Sequence, residues 1–477
     1  MGNPSSSGLQ TRAMTYSPPR RGGVARSAGV VSSAGPVGRA DHPVCAVASL
    51  GASTIQASPC RARASRPPLR AGECGAFLLL ALLVLAACSK AMPEQATWAG
   101  TIELAQGNVH VPFHMVLDLR SPKPTGYFLV GDEKTPIPEI TRQGESLTFG
   151  FSEYGAEMRG TWDGGQLNGT YARHRRQGDT LLKFSAAPDL GATSRSELRS
   201  SGAEFPSGKY QVYFEGEARN QSATVATFWM QEESLYGTFI APDGDYGLLV
   251  GNVSGGKVQV NRFTGWQAIA MTLGKKDQMW SGNYYFQNDK PRGFVLFPQP
   301  NIDALPIPKQ TTMKNPDAPF TFEGVSISGD TIRSSDDRFK GKSLIVDIMG
   351  TWCHNCLDSG PLLDELQKRY GNNGLQVVGI SFEISDDVEL AKKNLQLFKD
   401  RNGLTYTMLF CGSLDDENVN KRLRSQLNNF FAYPTTLFVG RDGKVRAINS
   451  GFKGPGTGEE YQAQIREFHE LAEKLVK

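Results

Sequence analysis

The sequence predicts a multidomain protein: a β-rich N-terminal region of two β units, each a barrel or a sandwich, followed by an α/β domain. Short alternating apolar runs between Gly and Asp turns fill residues 97–296, and helical periodicity is absent there. A Pro-rich stretch, Pro298–Pro319, follows. Beyond it, strand patterns alternate with helix patterns, which is typical of a layered α/β domain. The helices predicted there after the first are Asp387–Arg401, Glu417–Asn428 and Glu459–Val476.

The chain length sets the number of domains, and the charge distribution argues against a nucleic-acid partner. A chain of 477 residues accommodates two to four domains of about 150 residues each. The net charge is +3, but residues 1–87 alone carry nine arginines, no lysine and two acidic residues, so the remainder is mildly acidic. Neither a basic face nor a nucleic-acid motif emerges, and nucleic acid is therefore not a predicted partner.

The N-terminus reads as a leader. Residues 1–75 are rich in Ser, Gly, Ala, Pro and Arg without apolar periodicity, so we expect disorder, and we hypothesise that translation starts downstream of Met1. Ala76–Ala87 holds twelve apolar residues, fewer than the roughly 20 that span a membrane. With Arg66 and Arg70 as its basic flank, this segment is typical of the apolar region of a signal peptide.

The leader ends in Leu85–Cys88, which resembles a bacterial lipoprotein box. That resemblance implies cleavage before Cys88 and a lipid anchor on it, and residues 76–88 are predicted to be the signal segment with its lipobox. An ordinary signal peptide with a chance cysteine is the alternative. The predicted location is the cell envelope, lipid-anchored and facing the periplasm, with the outer membrane favoured by Ser89.

The β region divides into residues 97–187 and 208–297, joined by a Ser- and Gly-rich linker. Thr125–Leu129 parallels Tyr236–Ile240, and Asn168–Tyr171 parallels Ser281–Tyr284, which indicates an internal repeat. Chance similarity between Gly-rich β sequences is the alternative.

The β region shows no catalytic motif. His110 and His114 resemble a metal pair, but on one strand they lie about 13 Å apart. We interpret the tryptophans, including Trp266, as core residues. The region is expected to hold the catalytic domain away from the membrane or to dock a client.

The most informative residues are Cys353 and Cys356. They follow the apolar run Leu344–Met349 and precede a predicted helix, Asp358–Tyr370. Cys353 would fall at the helix N-terminus, where unpaired N–H groups and the helix dipole favour a thiolate. A zinc site would need a second ligand pair, and an inert disulfide rarely takes so short a loop behind Trp352. The motif therefore predicts a redox-active disulfide.

Residues 316–477, after a linker at 298–315, resemble the thioredoxin fold and specifically the TlpA/ResA-like thiol–disulfide oxidoreductases. The resemblance rests on four segments, Asp317–Phe322, Trp352–Cys356, Tyr433–Phe438 and Arg441–Val445. Apart from the cysteines it implies a cis-proline loop, and it implies neither a metal nor an organic cofactor.

The resemblance implies roles for the matching residues. Cys353 is expected to attack a substrate disulfide and Cys356 to resolve the mixed disulfide. Asp347 matches the buried Asp that moves the proton of the resolving thiol, with a pKa raised toward neutral; an edge-strand Asp facing solvent is the alternative.

The substrate contacts are also implied by the resemblance. Pro434 is expected to be cis and to bring Tyr433 and Thr435 beside the cysteines, where the backbone pairs with an extended substrate. Trp352 is expected to pack beside the disulfide.

The sequence departs from the family in two places, and Cys411 is a further residue to interpret. Ser359 stands where many ResA-like proteins have Glu, with Asp358 beside it. The pair between the cysteines, His354 and Asn355, lacks the usual Pro; either His354 stabilises the thiolate when protonated, or it is a solvated turn residue. Cys411 is expected to be a buried, inert thiol.

The predicted function is that of an exported, membrane-anchored oxidoreductase that reduces disulfides in envelope proteins. Its electrons are expected to come from a membrane reductase of the DsbD or CcdA type, as in proteins of cytochrome c maturation. One alternative is a peroxiredoxin-like thiol peroxidase, whose Thr-x-x-Cys pattern is missing because Thr351 is two residues before Cys353. Another is an envelope binding protein of the β domains, with a docking thioredoxin domain.

Overall fold

The computed structural model describes residues 91–104, 108–174, 179–189, 204–217, 223–232, 234–266, 268–298 and 310–477. The predicted leader at 1–75, the signal segment with Cys88 at 76–88 and most of both linkers lie outside the described residues. In the part of the chain that is described, no helix is both long and apolar enough to cross a membrane.

The first β unit is a single antiparallel sheet of nine strands among the described residues. The strands are β1 Gln95–Glu103, β2 His110–Asp118, β3 Thr125–Val130, β4 Glu133–Pro136, β5 Glu139–Gln143, β6 Ser146–Phe151, β7 Ala156–Trp162, β8 Leu167–Arg173 and β9 Thr180–Pro188. Their order is β4-β3-β2-β1-β9-β8-β7-β6-β5. Buried and solvent-facing residues alternate along β2, as expected for a strand with one face on a core.

The second β unit is a closed antiparallel barrel. Its strands are β10 Gly208–Phe214, β11 Val225–Gln231, β12 Ser234–Ala241, β13 Gly244–Asp245, β14 Leu249–Ser254, β15 Lys257–Phe263, β16 Ala268–Lys276, β17 Met279–Phe286 and β18 Arg292–Pro298. Their order is β11-β10-β18-β17-β16-β15-β14-β12-β13, and β11 also pairs with β12, which closes a ring of eight strands. Apolar side chains such as Val212, Phe239 and Met271 form its core.

The two β units have matching strand order. Each of the strands β1 to β9 occupies the same sheet position as its counterpart among β10 to β18. There is one difference: β12 and β14 pair with each other, whereas their counterparts β3 and β5 do not. Instead, the Ile137 N–H donates to the Gly126 carbonyl at 2.9 Å beside that open seam. The prediction of two β units is confirmed, and the shared topology supports the internal repeat over chance similarity.

The C-terminal part is an α/β domain. Its strands are β19 Thr312–Met313, β20 Glu323–Ser326, β21 Thr331–Arg333, β22 Ser343–Met349, β23 Leu375–Glu383, β24 Thr407–Ser413, β25 Leu427–Asn428, β26 Thr435–Val439 and β27 Val445–Ser450. Its helices are α1 His354–Tyr370, α2 Val388–Asn402, α3 Asp416–Val419 and α4 Glu459–Val476. The main sheet runs β21-β20-β24-β23-β22-β26-β27, with β22, β23 and β24 parallel to one another.

Two helix predictions need correction. The helix predicted over 417–428 is right only in its first part: α3 ends at Val419, a π-helical turn runs over Asn420–Arg424, and Leu427–Asn428 pairs with Thr312–Met313. Pairing with a distant strand overrides the local helical pattern. Helix α1 begins four residues earlier than predicted, because the Cys353 sulfur accepts the Cys356 N–H and acts as its N-cap.

The β units pack directly against each other and against the α/β domain. Phe263 of β15 lies with its ring centroid 5.5 Å from that of Phe113 and 5.1 Å from that of Phe128 in the first unit. One apolar cluster runs from this contact to Cys353 and Cys356. The β region therefore reaches the cysteine motif.

Candidate active site

Cys353 and Cys356 lie between the end of β22 and the start of α1. The Cys356 N–H donates to the Cys353 sulfur at 3.3 Å, and the Cys353 thiol donates to the Tyr433 carbonyl at 3.3 Å. Both are free thiols, so the structure shows the reduced pair. Burial, followed by the hydrogen bond with Cys353, raises the pKa of Cys356 well above its usual value. Cys353 is therefore the outer thiol and Cys356 the inner one.

Asp347 is buried behind the inner thiol, with 1% of its surface exposed. Thr436 Oγ1 donates to Asp347 Oδ1 at 2.8 Å, and Oδ2 has no hydrogen-bond partner among the described residues. Burial raises the pKa of Asp347 to about 7. Its charge also contributes to the raised pKa of Cys356. This placement excludes the solvent-facing alternative; its role in proton transfer remains a prediction.

The loop before β26 brings Tyr433 beside the outer thiol. The Tyr433–Pro434 bond is cis, as the resemblance implies. The rings of Trp352 and Tyr433 meet edge to face at 5.3 Å, and Trp352 Nε1 donates to the Phe382 carbonyl at 2.8 Å. Thr435 is fully buried at the start of β26. Contact of Tyr433, Thr435 and Trp352 with a substrate remains a prediction.

Glu383 holds the loop that leads to Cys353. It is 3% exposed at the end of β23 and accepts hydrogen bonds from the Thr351 N–H at 3.1 Å and from Thr351 Oγ1 at 2.6 Å. Ser381 donates a further short hydrogen bond to it. Burial raises the pKa of Glu383. This residue fixes the backbone immediately before the motif.

His354 within the motif is enclosed by the second β unit. Its imidazole stacks on Trp266 with centroids 5.9 Å apart, and its Nε2 lies 3.2 Å from Arg262 Nη2. Arg262 itself is 1% exposed and binds Glu133 of β4 through both carboxylate oxygens, at 2.9 and 2.6 Å. Three parts of the chain therefore meet at this histidine.

The burial and electrostatics of this cluster exclude both roles that the sequence suggested for His354. Burial and then the charge of Arg262 lower the pKa of His354 to about 3. Burial opposes ionisation of Glu133, but the charge of Arg262 and its hydrogen bonds outweigh that effect and lower the pKa of Glu133 to about 2. His354 is therefore neutral and buried near neutral pH. It is neither a protonated thiolate stabiliser nor a solvated turn residue.

Asn355, the other residue between the cysteines, contacts the turn that contains β13. In the amide orientation that satisfies both partners, Asn355 donates to the Asp245 carbonyl at 3.1 Å and accepts from the Asp245 N–H at 3.2 Å. The Asp245 N–H also lies 3.2 Å from the Phe452 carbonyl. The carboxylate of Asp245 accepts the Gly454 N–H at 2.5 Å. The β13 segment is thus bound to the motif and to the loop before α4.

Two of the remaining residues singled out in the sequence lie beside this site and one lies apart from it. Ser359 Oγ donates to the Cys356 carbonyl at 3.1 Å, and Asp358 lies 3.4 Å from His354 Nε2. Burial, and then the nearby Asp245, raise the pKa of Asp358 well above its usual value. Cys411 is buried in β24, and burial raises its pKa to about 12. In the described ranges, no group of three or more His, Cys, Asp or Glu residues converges as metal ligands would.

Sequence reasoning missed Arg262, Trp266, Asp245 and Glu383. Both Glu383 and Arg262 carried a weak signal: Glu383 is a charged residue at the end of an apolar strand, and Arg262 is a charged residue on the alternating face of Val258 and Val260. Asp245 lies in a Gly-rich turn whose sequence resembles the other turns of the β region, and Trp266 is interpreted from the sequence as a core residue. Contact between distant segments, rather than a local motif, makes these four residues part of the site.

Comparisons with known proteins find similarity over the C-terminal domain. The model of the AhpC/TSA family matches residues 315–448. The thioredoxin-like protein YneN of Bacillus subtilis is 29% identical over 130 residues, which cover 27% of this chain and 68% of YneN. The thiol-disulfide oxidoreductase ResA of Geobacillus thermodenitrificans is 27% identical over 113 residues, covering 24% of this chain and 57% of ResA.

Among solved structures, a putative thiol:disulfide interchange protein DsbE from Chlorobium tepidum is similar at 21% identity with a TM-score of 0.25, covering 32% of this chain and 93% of its own. The match of the family model, together with the sheet order and the cysteine motif at the start of α1, shows that residues 315–448 form a thioredoxin-like domain similar to the AhpC/TSA family.

Proposed function

We propose that this protein is a thiol–disulfide oxidoreductase that reduces disulfides in envelope proteins through Cys353 and Cys356. The observation that carries the proposal is the arrangement of the two thiols: the outer sulfur accepts the N–H of the inner residue at the start of α1, and the inner thiol is buried near enough to Asp347 for that carboxylate to contribute to its raised pKa. Relatives named thiol-disulfide oxidoreductase support the class of reaction over the C-terminal domain.

The proposed reaction has two exchange steps. The Cys353 thiolate attacks one sulfur of the substrate disulfide, forms a mixed disulfide and releases the other sulfur as a thiolate. The Cys356 thiol gives its proton to ionised Asp347, and its thiolate then attacks the Cys353 sulfur. The Cys353–Cys356 disulfide forms, and the second substrate thiolate leaves. Two electrons have passed from the dithiol to the substrate.

The surroundings supply what each step needs. The N-terminus of α1 favours negative charge on Cys353. A pKa of about 7 lets Asp347 both accept and return a proton near neutral pH. Tyr433 and Trp352 line the outer thiol and are proposed to contact the substrate chain.

The cycle requires a reductant, and we propose a membrane reductase of the DsbD or CcdA type. The leader and Cys88 support export and a lipid anchor facing the periplasm. Expression of the full chain with Cys88→Ala tests the anchor: the variant is expected in the soluble envelope fraction and the parent in the membrane fraction. Equal partitioning would refute the lipid anchor.

The direction of the reaction is tested by equilibrating the protein with glutathione or dithiothreitol and measuring the oxidised fraction of the pair. We expect a potential near roughly −270 mV or lower, as for a reductase. A value near roughly −120 mV would show a disulfide donor instead. Consumption of hydrogen peroxide at a comparable rate would favour the peroxidase alternative. Cys411→Ser is the matched control, because that thiol is buried away from the pair.

A further inference from the structure

Three parts of the second β unit lie across the dithiol motif. They are the turn Asp243–Asp245, Arg262 and Trp266, and we refer to them together as the cover. Trp266 and Arg262 contact His354, while the turn contacts Asn355. Both residues between the two cysteines are therefore held by a different domain of the same chain.

The turn binds as an extended peptide would. Its backbone at Asp245 pairs with the Asn355 side chain and with the Phe452 carbonyl, and the Asp245 carboxylate accepts the Gly454 N–H. Hydrogen bonds to main-chain groups are how a groove recognises an extended segment with little regard to its side chains. The cover occupies the side of the motif that faces the loop before α4.

Gly244 makes this approach possible. A Cβ at Gly244 would overlap the Asn355 side chain and would lie 3.0 Å from the Phe452 carbonyl oxygen. Its φ of +135° also lies in a region that favours glycine. Across the contact, a Cβ at Gly451 would lie 2.6 Å from the Asp243 carbonyl carbon. Two backbones thus meet at glycines on both sides.

The contact leaves little of the motif open. The exposed fractions are 5% for Cys353, 8% for His354 and 9% for Asn355. Disulfide exchange requires the incoming sulfur to reach the attacking thiolate, and a protein disulfide brings two chain segments with it. Because the turn contacts the residue beside Cys356 and Cys353 itself is 5% exposed, those two segments would have to approach the thiol next to the turn.

We propose that the cover is an autoinhibitory contact that excludes protein disulfides from Cys353 until the turn Asp243–Asp245 leaves Asn355 and the Phe452–Gly454 loop. The inference rests on the proposed function, because it concerns access to the same thiol. In the closed form, reagents of different size should reach Cys353 at different rates. A bulky reagent reacts in proportion to the open fraction.

The test uses the full chain, reduced, and follows alkylation at Cys353 by peptide mass analysis with N-ethylmaleimide and with a polymer-linked maleimide. Gly244→Ala forces the turn away from Asn355. It is expected to raise the ratio of the polymer rate to the small-reagent rate by about fivefold or more, the low end of coupling between two sites. Asp245→Ala, which removes the contact with Gly454, is expected to act in the same direction.

Gly255→Ala is the matched control. Gly255 is also a barrel-turn glycine with a positive φ, of +56°, but a Cβ there would meet nothing within 4 Å. Its rate ratio is expected to equal that of the parent. An unchanged ratio in both Gly244→Ala and Asp245→Ala overturns the proposal, and so does an equal acceleration with both reagents, which would indicate general loosening of the fold.

The alkylation readout separates this inference from the proposed function. It requires a reactive thiol but no substrate turnover. A protein whose ratio responds to the cover variants but which reduces no disulfide would retain the autoinhibitory contact and lose the oxidoreductase assignment. If the parent and the cover variants reduce protein disulfides equally well and have the same alkylation ratio, the oxidoreductase assignment is retained and the autoinhibitory contact is lost.

Discussion

Arg262 of β15 lies 3.2 Å from His354 Nε2, so an arginine of the second β unit reaches into the cysteine motif of the α/β domain. The same guanidinium binds Glu133 of the first β unit through both oxygens. One buried cation therefore links all three parts of the chain. Because it contacts the imidazole between the two cysteines, the position of the β region affects the site.

We expect Arg262→Ala to lower the free energy of unfolding by about 3 kcal/mol, because the variant leaves Glu133 without its partner in a buried contact. Chemical denaturation of the full chain measures the loss. Arg159→Ala is the control: the ion pair of Arg159 with Glu157 is exposed, and its removal is expected to leave the transition in place. Equal shifts in the two variants would contradict a stabilising role for the Arg262 contact.

We expect His354 to remain neutral as the pH falls. Its folded pKa of about 3 lies below the ordinary value of 6.5, so the folded state disfavours protonation. The associated stability is present above about pH 6.5 and is lost as the pH falls toward 3. From pH 7 to about pH 4.5 the loss from this group is about 2 kcal/mol.

Denaturation across that range, in the parent and in His354→Gln, measures the contribution of His354. The variant is expected to show the shallower decline because it lacks the group that resists protonation. An imidazole resonance of His354 that titrates between pH 5 and 7 would instead show that the histidine is open to solvent.

Asp347 has the opposite pH dependence. Its folded pKa is raised by burial from 3.8 to about 7, so between these values the folded state holds more protons than the unfolded state. Stability from this group is greatest below about pH 4 and is lost as the pH rises to 7. Between about pH 5 and pH 8 the loss is about 2 to 3 kcal/mol.

Asp347→Asn has no carboxyl to ionise and therefore avoids that loss. The difference in unfolding free energy between the variant and the parent is expected to favour the variant more at pH 8 than at pH 5. Its disulfide-exchange rate is expected to lose the inflection near pH 7 that proton transfer by the carboxyl produces. A variant whose rate profile keeps that inflection would exclude Asp347 as the proton acceptor of Cys356.

Substitution of each cysteine separates their roles. Cys356→Ser is expected to stop at the mixed disulfide between Cys353 and the substrate, detectable by mass, whereas Cys353→Ser is expected to form none. Turnover is expected to fall by about a hundredfold or more in both. Cys411→Ser should keep the activity of the parent. Mixed disulfide on Cys356 in Cys353→Ser would reverse the assignment of outer and inner thiol.

The cysteine motif shows how much of the site the local sequence pattern predicts. The run Leu344–Met349, the motif and the periodic segment behind it predicted strand, turn and helix, and the structure has β22, the two thiols and α1 in that order. The start of α1 was placed too late because its N-cap is a cysteine sulfur rather than a usual capping side chain. The helix predicted over 417–428 ends early because a distant strand pairs with the end of that segment.

The β region shows the opposite case. Alternating apolar residues and turn glycines were enough to predict two β units, since each strand buries one face. The contacts of Arg262, Trp266 and Asp245 with the motif had no sequence signature. They lie more than eighty residues from His354, and no local rule pairs them.

The sequence by itself determined the two β units, the α/β domain and the two thiols at a helix start, because periodicity, turn residues and a short motif are local properties of the chain. Tertiary structure alone decided which groups surround those thiols. It buried His354, lowered its pKa and laid the turn Asp243–Asp245 over Asn355, whereas the family resemblance already implied the burial and raised pKa of Asp347. Burial and electrostatic contact depend on residues that are close in space but distant along the chain, and packing brings those residues together.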